Sequence, residues 1–243
     1  MNNAVLTYHF GNHDFIVEPK CKNLDWEFYC LTNNKKLIEE NKSSRWNFIY
    51  ISDTKTKSLI GNKRKSSFIK IYPYNYIKNI NNYKYLLNLD GNCIIREDTN
   101  LNVLCKDIFD LGTNFSLQKL LSPDCGEASV GAEGQNIINH KRDTQENVNS
   151  TINKICKHPS LKNEKHIMGI SNVILRKNDT ETRKFFQIWK DFYIRYESVR
   201  DQLTFPLAVS HYNKHNASNI KIHFFKQSQY NCFDFYQHKK KYN

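Results

Sequence analysis

Residues 85–95 read Tyr-Leu-Leu-Asn-Leu-Asp-Gly-Asn-Cys-Ile-Ile, a polar knot holding one carboxylate and one carboxamide between two apolar runs. A buried strand ending at Leu89 sets Asp90-Gly91-Asn92 at its carboxyl end, where ligands of α/β sheets sit. A carboxylate there, beside a glycine that admits close backbone approach, suits a hard divalent cation that bridges phosphate oxygens. The same residues also suit an Asp-Gly hairpin turn. Upstream, Lys63, Arg64, Lys65 and Lys70 surround two serines. That is the pattern of a solvated basic face, or of one in which one or two of these residues, Lys70 among them, neutralise phosphates. Downstream, Arg200-Asp201-Gln202 leads into Leu203, Phe205 and Pro206, so the chain turns from polar to apolar as a helix starts. A carboxylate at that positive helix end is either a cap or a site group. Arg142 and Glu146 fit a structural ion pair as well as a site role, and His140 stands beside them. No Ser-His-Asp or Cys-His nucleophile order and no zinc-ligand spacing is present.

The elements that must position these residues follow from apolar periodicity. Strands are expected over 4–10, 26–31, 46–51, 85–89, 172–176 and 220–225, each bounded by turn residues. A helix over the basic run ends before Pro73, because the residue preceding proline avoids helical backbone. Helical spacing is read over 101–110 and 116–121, and a further helix ends near Cys156. The stretch 123–135, with Gly126, Gly131 and Gly134, reads as a surface loop; no Lys-Ser follows the glycines, so it is not a phosphate-binding fingerprint. Residues 136–139 read as a short strand. The helix capped at Asp179 or Thr180 carries Phe185, Phe186, Ile188, Trp189, Phe192 and Tyr193 at core spacing. Alternating strands and helices predict an α/β sandwich with a mostly parallel central sheet flanked by helices.

The 243 residues suffice for one large domain, expected over 1–237, with a basic tail at 238–243. Net charge is +12, which fits an anionic partner, whether nucleotide, nucleic acid or membrane surface. The positive residues are scattered and no nucleic-acid motif occurs, so specific nucleic-acid binding is not expected, although a basic nucleic-acid-binding protein stays open as an alternative. Seven cysteines without Cys-x-x-Cys spacing point to reduced thiols in a cytoplasmic protein. No signal peptide and no transmembrane stretch is read.

Several segments together resemble one family, the TOD/MUCI-type glycosyltransferase-like domain. Gly11 to Asp14 resembles its turn after the first strand, Trp46 a family tryptophan, and Lys70-Ile71-Tyr72-Pro73-Tyr74 its K-x-x-P-H segment with Tyr74 in place of histidine. Leu89-Asp90-Gly91-Asn92, Asn172 to Arg176, and above all Arg200-Asp201-Gln202-Leu203-Thr204-Phe205-Pro206 continue the series. His140, Arg142, Asp143 and Glu146 resemble an HxxRxxxxxE pattern with one spacing shortened.

The resemblance implies a type-A glycosyltransferase fold and transfer from a nucleotide-sugar donor to a glycan or other hydroxyl acceptor. It implies Mn2+ or Mg2+ at a D-x-D-like turn, with Asp90, Asn92 in the second position, and His223 as a late ligand. His223 also fits a strand histidine satisfied by one hydrogen bond. Lys70, Gly91, Arg142 and Gly11 fall on the donor side, Arg200, Asp201 and Gln202 on the catalytic segment, and His140 and Glu146 on the acceptor side. Some relatives carry a ceramidase label, which leaves a hydrolase acting on a lipid amide as another alternative.

Overall fold

The computed structural model describes residues 2–11, 16–52, 59, 61–119, 129–159, 161, 168–225 and 231–236. The chain lays down β1 (Asn3–His9), β2 (Trp26–Thr32), α1 (Lys35–Glu40), β3 (Asn47–Tyr50), α2 (Asn62–Ile71), β4 (Tyr85–Asp90) and β5 (Cys93–Ile95). It continues with α3 (Leu101–Phe109), β6 (Phe115–Lys119), α4 (Val130–Asn139), α5 (Gln145–Cys156) and β7 (Gly169–Lys177). It ends with α6 (Thr180–Arg195), α7 (Phe205–His215), β8 (Ile222–Phe225) and β9 (Phe233–Phe235).

Seven strands form one sheet in the order β3-β2-β1-β4-β7-β6-β8. β1 runs parallel to both β2 and β4, β2 to β3 and β6 to β8, while β7 is antiparallel to its neighbours β4 and β6. The sheet is therefore mostly parallel, as expected. From β1 the order runs outward to β2 on one side and to β4 on the other. The gap between the carboxyl ends of β1 and β4 is thus a topological switch point, the place where open α/β sheets take ligands.

Alternating side chains feed both faces of the sheet. Val5, Leu87, Leu89, Val173 and Leu175 pack with Leu101, Leu104 and Ile108 of α3. Ala4, Leu6 and Leu86 pack with Ile69 of α2. The aromatic run of α6 is core, as its spacing predicts: Phe185, Phe186, Trp189 and Tyr193 are at most 1% exposed and share a cluster with Phe115, Phe205 and Tyr212.

Two elements differ from the sequence reading. Residues 115–119 are a strand, not a helix; Phe115 and Leu117 face the core while Ser116 between them faces His223, a period of two. Residues 130–139 are one helix, not a loop followed by a strand, started by Ser129 accepting from the Ala132 amide. The glycines hide that helix in the sequence. At Gly134 a Cβ would collide with the Ile152 side chain of α5, so the missing side chain is what lets α4 and α5 touch. The turn residues 12–14, residues 123–128 of the glycine-rich segment and the tail 238–243 lie outside the described residues.

Candidate active site

Helix α2 packs on one face of the sheet, with Ile69 against Ala4, Leu6 and Leu86, and its two ends reach towards the carboxyl ends of the strands through side chains. At its first turn, Asn62 Oδ1 accepts from Asn33 Nδ2, and Asn33 Oδ1 accepts from the Gly11 amide, so this end sits where β1 and β2 finish. Gly11 itself turns there with φ of 76°, a conformation that favours glycine. At its last turn, Lys70 reaches the end of β4. Its Nζ stands 2.9 Å from Asp90 Oδ1, 2.9 Å from Ser171 Oγ and 3.1 Å from Asp201 Oδ2. Ser171 Oγ in turn donates to Asp201 Oδ2 at 2.7 Å. Residues more than 100 positions apart thus meet around one ammonium group that is 2% exposed.

Each member has a local cause. Asp90 is the last residue of β4. Ser171 falls where the β6–β7 register slips, from Leu117 opposite Ile174 to Gln118 opposite Ile170, an irregularity of the kind that re-aims side chains beside sites. Asp201 opens a short 3₁₀ turn, Asp201–Thr204, that runs straight into α7. Trp189 braces it by donating to the Asp201 carbonyl at 3.3 Å. Arg64, one turn into α2, donates to the carbonyls of Tyr193, Ile194, Tyr196, Glu197 and Ser198, fixing the end of α6 and the approach to Arg200.

Burial works against charging Lys70, but Asp201 and Asp90 overcome it and hold its pKa above the ordinary lysine value. Burial likewise opposes ionisation of Asp201. Lys70, then Lys63 and Arg200, and the Ser171 hydroxyl outweigh it and bring the carboxyl down to about 2. Asp201 is therefore an ionised anchor at neutral pH and a weak base, so its role here is to hold charge rather than to carry a proton. A carboxyl depressed on folding contributes stability that is complete above its unfolded pKa near 4 and disappears as pH falls towards 2. Urea unfolding between pH 5 and pH 2 is expected to cost the wild type about 2 kcal/mol more than Asp201→Asn. Equal losses would place the Asp201 carboxylate outside the clamp.

The other sequence candidates divide cleanly. Arg200 and Gln202 flank Asp201, and each keeps a sealed polar atom without a partner among the described residues, Nε and Oε1 respectively. Gly91 and Asn92 form the turn after Asp90, but that turn is not a hairpin: β5 pairs with β9, not with β4. Asn92 donates through Nδ2 to the Tyr236 carbonyl at 3.0 Å and accepts the Tyr236 amide on its own carbonyl.

His223 is not brought to Asp90. It is in register with Ser116, Leu175 and Leu87, three strands from β4 and so about 14 Å across the sheet. There its Nδ1 lies 3.1 Å from Ser116 Oγ, the satisfied strand histidine. His140, Arg142 and Glu146 are exposed on the α4–α5 connection, and no ion pair joins Arg142 to Glu146. From that connection Asp143 makes the contact instead, accepting from Ser198 Oγ at 2.7 Å and the Val199 amide at 2.8 Å just before Arg200.

These positions fit a divalent cation poorly. Such an ion takes several oxygen ligands, mostly anionic. Here the one carboxylate of the turn already receives an ammonium, the second position is a neutral carboxamide tied to Tyr236, and the third lies three strands away. Among the described residues no three His, Cys, Asp or Glu side chains converge on a metal-sized site.

No protein-family model matches the chain, and no curated protein does. Solved structures do. Mouse xyloside xylosyltransferase 1, in its apo form, superposes with a TM-score of 0.51 at 10% identity, over 94% of this chain and 86% of that one. The chain has that transferase's fold. The WbbM bifunctional glycosyltransferase gives 0.49 at 12% identity over 93% of this chain, which spans 39% of it. The galactosyltransferase LgtC, bound to donor and acceptor sugar analogs, gives 0.44 at 12% identity over 83% and 68%. The type-A-like α/β sandwich expected from the sequence is thus the fold observed.

Sequence reasoning missed Ser171 as a contributor, and it held Lys63 only as one of the basic run and Asp143 only as part of the His140 segment. Lys63, Ser67 and Lys70 recur at helical spacing on one face of α2, a signal available in the sequence. Nothing local marks Ser171.

Proposed function

We propose that this chain is a glycosyltransferase, one domain over residues 1–237, moving a sugar from a nucleotide-sugar donor to a glycan or other hydroxyl acceptor. The observation that carries this reading is the buried Lys70 clamped by Asp90 and Asp201 at the switch point of the sheet, on a fold shared with a xylosyltransferase. The residues that resemble the TOD/MUCI-type family agree with it, since Lys70, Asp90 and Arg200 to Pro206 are the segments that meet.

In the reaction, the bond from the sugar carbon to the diphosphate oxygen breaks and its electron pair stays on the nucleoside diphosphate. The acceptor oxygen bonds to the same carbon and its proton is released to solvent. Fixed positive charge at the diphosphate and fixed negative charge near the sugar lower that barrier, because they are already oriented when charge develops. Lys70 fixes the two carboxylates.

The net charge of +12 does not by itself select a nucleic-acid partner, because the basic residues are scattered along the chain and no nucleic-acid motif occurs. No described helix is long and apolar enough to cross a membrane.

The test is a thermal-shift screen of uridine, guanosine, adenosine and cytidine diphosphates and their sugars, beside random-sequence DNA. One nucleotide series is expected to raise the melting temperature by roughly 5–10 °C at a hundredfold excess over its Kd. No shift with any nucleotide sinks the reading, and a salt-sensitive shift with DNA alone favours a nucleic-acid protein.

A further inference from the structure

We propose that the donor diphosphate is held and neutralised by Lys63 and Arg200 together with the open first turn of α2, in place of a divalent cation at the Asp90 turn. This rests on the transferase reading above and goes beyond it.

Four observations carry the assignment. The Asp90 turn is committed elsewhere: Oδ1 accepts from Lys70 and Asn92 is fastened to Tyr236. The first turn of α2 meets Asn33 and, through it, Gly11 at the ends of β1 and β2, and the Lys70 side chain from its last turn reaches Asp90 at the end of β4. The helix's side chains at 63, 67 and 70 share one face, so Lys63 stands on the crevice side two turns before Lys70. Its N-cap, Gly61, supplies no side-chain acceptor, which leaves first-turn N–H groups and the positive helix end for an anion. Finally, Arg200 keeps a sealed Nε donor with no acceptor among the described residues.

The charges close on the same answer. Lys63, Lys70 and Arg200 bring three positive charges against the two of Asp90 and Asp201. Lys70 is shared by both carboxylates, and Arg64, next to Lys63, is bonded to the Ser198 carbonyl two residues before Arg200, which brings the first turn of α2 beside Arg200. Burial, then Arg200 and Lys70 against the pull of Asp90 and Asp201, lower the Lys63 ammonium to about 8. An anion lodged between Lys63 and Arg200 removes that conflict, and a diphosphate carries the charge to do so.

Calorimetric titration with the four nucleoside diphosphates and with inorganic pyrophosphate, in EDTA and in manganese, tests this. The best nucleotide is expected to bind in EDTA within about threefold of its affinity in manganese. Lys63→Met and Arg200→Met should each weaken it roughly 10- to 100-fold, the scale of a hydrogen bond to a charged group. Lys63→Arg should retain the affinity and flatten its loss above pH 8. Pyrophosphate alone should follow the same order, and unchanged melting temperatures exclude misfolding. Binding that requires manganese, or that is indifferent to both Met variants, overturns this proposal and leaves the transferase reading intact. Failure of every nucleotide in both buffers overturns the two together.

Discussion

Lys70→Met is expected to lower sugar transfer at least about 10³-fold and stability by about 3–5 kcal/mol, the two losses having different causes. The stability loss comes from removing the contacting partner of a buried ion pair, which leaves Asp201, 2% exposed, ionised with only the more distant charges of Lys63 and Arg200 to offset it. The loss of transfer comes from releasing Asp90 and Asp201 from fixed positions, which removes charge oriented before the reaction begins. A second substitution separates them. Lys70→Met with Asp201→Asn has no uncompensated buried charge, so urea unfolding should recover a good part of the loss, while release of nucleoside diphosphate stays at background. If the double variant recovers turnover along with stability, the clamp is only architectural. If Lys70→Met unfolds no more easily than wild type, the three groups do not form the buried cluster described.

The sequence made the two ends of this cluster visible and concealed its middle. Asp90 announces itself as a carboxylate at the end of an apolar strand before a glycine, and Asp201 as an acid where a polar run turns apolar. Lys70 stands among other lysines, and only the packing of α2 on the sheet distinguishes it from Lys65. Ser171 is invisible because its orientation is set by a register slip between β6 and β7, a property of two strands more than 50 residues apart in sequence. The misread elements have the same origin. The α4 helix is concealed by glycines whose purpose is contact with α5, and β6 by neighbouring leucines that mimic helical spacing. The family resemblance implies His223 as a late ligand, but its strand lies at the sheet edge, beyond the reach of Asp90. What a sequence conveys well is periodicity, and what it conveys poorly is which side of a strand or helix meets a partner from elsewhere.

Arg176 should be the second most sensitive position, although it touches none of the reacting groups. It is 0% exposed and faces no carboxylate in hydrogen-bond contact. Its guanidinium donates to the Ile71 carbonyl at 2.8 Å, the Lys70 carbonyl at 2.9 Å and Asn88 Oδ1 at 2.7 Å, and lies over the Phe186 ring. Tyr8 donates to the same Asn88 oxygen, and Asn88 Nδ2 donates to the Ile174 carbonyl, so β1, β4 and β7 are joined to the last turn of α2. The two carbonyls belong to a helix end, where no intrahelical donor remains for them, and one of them is that of Lys70 itself. Arg176 is therefore a positioning residue that sets the height of Lys70 over the ends of β4 and β7. Arg176→Met strands two buried carbonyls, takes one of two donors from Asn88 Oδ1, and is expected to cost about 3–5 kcal/mol, a fall in melting temperature of roughly 2–4 °C for each kcal/mol in a chain of this size. Arg176→Lys supplies one compact ammonium where a planar fork is needed, so it should restore part of the stability and little of the rate. The control is Leu104→Ala in α3, on the opposite face of the sheet, a core truncation of about 2–5 kcal/mol. At matched stability and at a temperature where both are folded, Arg176→Lys should show a kcat reduced about tenfold or more, with KM for the donor nearly unchanged, and Leu104→Ala a kcat close to wild type. Equal kcat values in the two variants would reduce Arg176 to a packing residue.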